Sequence, residues 1–118
     1  MAYSQLPNYL RANRKRLALS QDEVAFLLGT KNGAKVSRYE HFVRVPSLET
    51  ALAYEAIFKR SASELFGGLY QKVELEVAER AKILAERTKR QKTIRPPVHK
   101  HQALTDIAGS QSNKTLNP

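Results

Sequence analysis

Residues 29–40 read GTKNGAKVSRYE, and the reading of this stretch decides the fold. Two glycines and two lysines sit where a chain turns, and Val36-Ser-Arg-Tyr-Glu40 continues as helix. Just before it lies LSQDEVAFLLG, residues 19–29. There Ser20-Gln-Asp-Glu23 has the form of a capping box, in which the serine accepts from the new helix and the glutamate reaches back. Val24, Leu27 and Leu28 are expected to be buried, and Gly29 suits a left-handed C-terminal cap. The quoted stretch is therefore a corner followed by a helix from about Gly33 to Phe42, with Val36, Tyr39 and Phe42 facing inward. Two helices joined by a short glycine-containing turn have the form of a helix-turn-helix.

Apolar residues on both sides recur at threes and fours rather than twos, the helical period. Leu6, Leu10 and Leu17 mark a first helix, with Arg14 standing where the stripe expects an apolar residue. Pro46-Ser47 opens a fourth helix with Ser47 as N-cap; its apolar positions are Leu48, Ala51, Leu52, Tyr54, Ile57 and Phe58. Ser61-Ala-Ser-Glu64 reads as a second capping box and starts a fifth helix through Leu65 and Phe66. The expectation is a five-helix, all-α bundle over residues 1–67. An amphipathic helix follows within residues 68–92, from about 69, carrying a thin stripe of Tyr70, Val73, Val77, Ala81 and Leu84. Residues 93–118 have paired prolines and polar runs, and read as a flexible, mostly disordered tail.

The 118 residues carry 20 Lys and Arg against 11 Asp and Glu, a formal charge of +9. The excess is spread along all three segments, which favours a polyanionic partner. No run approaches the roughly 20 apolar residues of a bilayer span, and no apolar leader opens the chain. Cysteine is absent, which suits the cytosol, and the expected location is cytoplasmic. An enzyme is not expected. Asp22 and Glu23 are cap residues, His99 and His101 have no third ligand, and neither a phosphate-binding glycine loop nor a Ser/His/Asp set is present. Neither a cofactor nor a metal is expected.

Four blocks, LSQDEVAFLLG (19–29), VSRYE (36–40), PSLETALA (46–53) and SELF (63–66), come in an order and spacing that resemble the phage-repressor-like helix-turn-helix family, the Cro/repressor or xenobiotic-response-element type. The resemblance covers Leu10 to Phe66, about half the chain. It implies a five-helix domain binding double-stranded DNA, usually as a two-fold homodimer on a palindromic operator, in a transcriptional regulator, here a repressor, associated with the bacterial nucleoid. Residues matching its recognition helix, and expected to contact bases, are Asn32, Ala34, Lys35, Ser37, Arg38 and His41. Arg38 is of a type that can pair bidentately with guanine. Gln21, Lys31, Tyr39 and Arg44 are expected at phosphates, and Arg14 and Glu40 match a structural ion pair.

Three departures from the family pattern stand out. One extra residue lies between Gly29 and the Val-Ser-Arg block; His41-Phe42 replaces the common Asn-Gly after the recognition helix; Glu55 occupies a usually small, buried position and needs a partner. The stripe Tyr70, Val73, Val77, Ala81 and Leu84 is the expected dimer interface. The alternative is an antitoxin-type protein, holding a toxin through the long helix or tail as well as binding its own promoter.

Overall fold

The computed structural model describes residues 8–90 and 98–116. It is all-helical, with no strand among the described residues. The helices are α1 (Leu10–Arg16), α2 (Gln21–Leu28), α3 (Gly33–Glu40), α4 (Leu48–Phe58), α5 (Ala62–Leu65), α6 (Gly67–Arg90) and α7 (Val98–Leu116). The chain divides into two compact units, Met1–Tyr70 and Gln71–Pro118. No described helix is long and apolar enough to cross a membrane.

In the first unit α2 packs on α3 and α4, α4 on α5, and α1 on α3. Their shared core holds Leu10, Val24, Ala25, Val36, Tyr39, Tyr54, Phe58, Leu65 and Phe66. Tyr54 is its hub, edge-on to Tyr39 and Phe66 and tilted against Phe58, with ring centroids 5.7–6.2 Å apart. Such pairs add about 0.5–1.5 kcal/mol each beyond the area they bury.

Several apolar residues expected inside are outside. In α2 the buried pair is Val24 and Ala25, while Leu27 is exposed. In α4 the core side is set by Ala51, Tyr54 and Phe58, and Leu48 and Leu52 face solvent. At about 100° per residue, Leu48 and Leu52 fall at least a sixth of a turn beyond that face. Helices this short offer several apolar faces, and tertiary packing selects one.

Local chemistry sets the boundaries. Ser20 and Glu23 form a complete capping box, and Gly29 closes α2 in the left-handed region at φ +79°. Ser61 accepts from the Glu64 N–H, but the Glu64 carboxylate bonds the Ser61 hydroxyl rather than its backbone, so the second box is half-formed. The next N–H is met from another helix: Glu55, exposed on α4, accepts from the Ala62 N–H at 2.8 Å. Its position needs no burial, only a helix end to cap.

The expected helix 33–42 ends at Glu40. Phe42 takes the left-handed backbone itself, at φ +53°, where a glycine would be at ease. Its ring is 1% exposed and lies against Phe66, at 6.4 Å between centroids. Ring burial outweighs the backbone cost, about 1–2 kcal/mol for a non-glycine residue. Lys59, C-cap of α4, adopts φ +57° with an exposed side chain and no such compensation.

In the second unit Ala78 and Ala81 of α6 and Leu104 of α7 are buried. α7 occupies a region expected to be a flexible tail. Its apolar Leu104, Ile107 and Ala108 are spaced three and one apart, too short a stripe to stand out among polar neighbours. Side-chain bonds at i to i+4, Gln102 to Asp106 and Thr105 to the His101 carbonyl, brace it. The expected tail residues 93–97 and 117–118, and Leu6 of the first helix, lie outside the described residues.

Phe42 and Lys59, two of the left-handed non-glycine residues, give opposite outcomes on substitution. In urea unfolding, Lys59→Gly should raise stability by about 0.5–1 kcal/mol by relieving strain. Phe42→Gly should lower it by about 3 kcal/mol, because the lost ring outweighs the same relief.

Candidate functional site

The residues singled out in the sequence converge on α3 and its two ends. The corner is built by close approach. Asn32, extended at φ −156°, is the N-cap of α3, its Oδ1 accepting from the Ala34 N–H. The first N–H of the helix, that of Gly33, donates instead to Asp22 Oδ1 at 2.8 Å. A Cβ at residue 33 would lie 2.7 Å from that oxygen and 2.9 Å from Gln21 Cβ. Gly33 is thus needed for contact rather than for conformation: it lets the first turns of α2 and α3 touch. Asp22, read from sequence as a cap residue of its own helix, also serves α3. The four residues 29–32 form the connection, and α3 runs unbroken from Gly33 to Glu40.

The far end of α3 is fixed by charge. Arg14 Nε donates to Glu40 Oε2 at 2.6 Å and Nη2 to Oε1 at 3.3 Å. The third donor, Nη1, goes to the Leu19 carbonyl. Gln21 Nε2 adds a bond to Glu40 Oε1 at 3.2 Å. The Glu40 side chain is only 2% exposed and that of Arg14 12%. Hydrogen bonding to Glu40 raises the Arg14 pKa above its ordinary value, against a smaller opposing effect of burial. Beside this pair the Tyr54 hydroxyl is buried without a hydrogen-bond partner among protein atoms. Burial first, and the Glu40 charge second, push its pKa upward, so it stays neutral.

With Gly33, Val36 and Tyr39 turned inward, the opposite arc of α3 carries Ala34, Lys35, Arg38 and His41. Ala34, Arg38 and His41 are exposed, while Lys35 and Ser37 are half-buried. His41 Nδ1 lies 2.8 Å from the Ser37 carbonyl, which can only accept, so this nitrogen carries a proton and Nε2 is left for other partners. Lys31 and Arg44 are exposed at the two ends of the arc. None of Lys31, Lys35, Arg38 and Arg44 is paired with a carboxylate among the described residues.

Two expected contacts change role. Tyr39, expected to offer its hydroxyl to a phosphate, is 3% exposed and belongs to the core. Gln21 borders the open cleft at the starts of α2 and α3, but its amide nitrogen is already engaged with Glu40. On α6, Tyr70, Val73, Val77 and Leu84 are exposed, whereas Ala81, expected on the same stripe, is buried. Among the described residues no group of three or more His, Cys, Asp or Glu could hold a metal ion. The chain matches no family model, no curated protein and no solved structure.

Both clamps are open to thermal and urea unfolding. Gly33→Ala should cost about 1–3 kcal/mol, since Gln21 and Asp22 must move aside. Glu40→Ala should cost about 3–5 kcal/mol by leaving the Arg14 charge without its partner.

Proposed function

We propose that the first unit is a helix-turn-helix DNA-binding domain of the repressor-like type, in which α2 and α3 form the motif and α3 enters the major groove of duplex DNA. The protein is then a sequence-specific transcriptional regulator, acting as a homodimer on a palindromic operator. The observation that carries this reading is the outer arc of α3: Lys35, Arg38 and His41 on one side of a rigidly held helix, with the cations unneutralised by neighbouring carboxylates.

The chemistry of each position follows. Arg38, exposed at the middle of the arc, has the length and the planar fork to meet guanine O6 and N7. Lys35 stands one helical turn before it on the same side. Ala34, exposed in the first turn, offers a methyl contact to thymine, and His41 offers Nε2. Asn32 has its oxygen committed to the cap, which leaves its amide nitrogen for an acceptor on DNA. Ser37 stands at the edge of the arc. Lys31 and Arg44 bracket the helix and serve the phosphates on either side. The starts of α2 and α3, side by side at Gly33, add a positive dipole end to the same surface.

Fluorescence anisotropy on 24-base-pair duplexes over a range of salt concentrations tests this division of labour. Arg44→Ala should weaken all duplexes alike and lower the salt slope by about 1, the loss of one phosphate contact. Arg38→Ala should cost about 1–3 kcal/mol on the preferred sequence and much less on random DNA. Equal losses on both for Arg38→Ala would remove its role as a base reader. Binding that prefers single strands or RNA hairpins would remove the reading as a whole.

A further inference from the structure

Within Gln71–Arg90, α6 carries an apolar stripe that its own unit leaves open: Val73 is 43% exposed, Val77 44% and Leu84 42%. The charges along this helix are segregated. Up to residue 79 there are three glutamates against one lysine; from residue 80 to 90 there are five cations against one glutamate. At about 100° per residue, Glu76, Arg80 and Arg87 line the same flank of the stripe. Glu76 bonds Lys72 at 3.1 Å, while Arg80 and Arg87 have no carboxylate partner among the described residues.

We infer that this stripe is the dimer interface and that the two copies of α6 pair antiparallel. This rests on the dimer of the proposed function and adds its direction and register. In a parallel pair the two-fold would run along the helices and set this flank against the opposite flank of the second copy, where Arg80 and Arg87 would meet Ala81, Ala85 and Thr88 rather than a carboxylate. An antiparallel pair centred between Ala78 and Glu79 sets Val73 against Leu84 of the second copy and places Glu76 beside its Arg80. The two-fold repeats this contact, so that Glu76 of each copy faces Arg80 of the other along the shared flank. The pairing is self-complementary, as a two-fold interface must be. Ala81, buried within its own chain, is not part of it.

The chain has no cysteine, so introduced ones report the register without background. In the full-length protein under mild oxidation, a mixture of Val73→Cys and Leu84→Cys chains should form a disulfide-linked dimer. Neither variant alone should do so, because residues 11 positions apart stand about 16 Å from their own copies in this arrangement, beyond the roughly 7 Å limit for a disulfide. In sedimentation equilibrium Arg80→Glu should weaken the dimer by roughly tenfold, because the two-fold doubles each contact. Adding Glu76→Arg to it should restore the affinity. Cross-linking of either single variant would overturn the antiparallel register. A monomeric mass with no mixed cross-link, including one that rises only with a different protein present, would overturn the second copy as occupant. Mixed cross-linking in a protein that selects no duplex sequence would leave this pairing standing and remove the DNA reading; the reverse pattern would do the opposite.

Discussion

The arrangement of the first unit depends on one buried carboxylate. Glu40 ends α3 and receives bonds from Arg14 of α1 and Gln21 at the start of α2, and Arg14 also binds the Leu19 carbonyl between them. Apolar packing of Val36 and Tyr39 holds α3 against the core but is non-directional, and a short helix can roll on such a surface. The guanidinium fork is directional, and at 2% exposure Glu40 has no water to turn to instead. Gly33 against Asp22 fixes the near end of α3, and Arg14 with Glu40 fixes the far end. Between these two clamps the outward arc has one orientation.

That rigidity gives the outer side chains their meaning. A flexible cationic loop attracts any polyanion, whereas Lys35 and Arg38 on a fixed helix present a pattern at fixed spacing. Sequence preference requires the second property. The pairing proposed for α6 fits the proposed reading of DNA, since it has a two-fold axis, the symmetry a palindromic site asks of its reader.

Signals that act within one turn of helix were legible in the sequence. The capping box at Ser20, the left-handed Gly29 and the cap at Ser47 are local chemistry, and each is found where it was read. The Arg14–Glu40 pair was also legible, through the family pattern and through a charge standing on an apolar stripe. Signals that depend on distant partners were not. Nothing near Asp22 announces that it caps another helix, nor anything near Glu55 that its carboxylate closes α5. Leu27, Leu48 and Leu52 belong to helices whose several apolar faces only packing can rank. Phe42 in a glycine's conformation could be read as a departure but not resolved, since the balance of strain and burial depends on Phe66. The contacts of the arc with DNA remain a proposal drawn from its chemistry.

Selection from a random duplex library by the purified full-length protein at near-physiological salt tests the central claim most directly. The account predicts enrichment of a palindrome whose half-sites lie about 34 Å apart, one turn of DNA, with guanine among the bases facing Arg38. Recovery of the unselected sequence distribution after repeated rounds would contradict it.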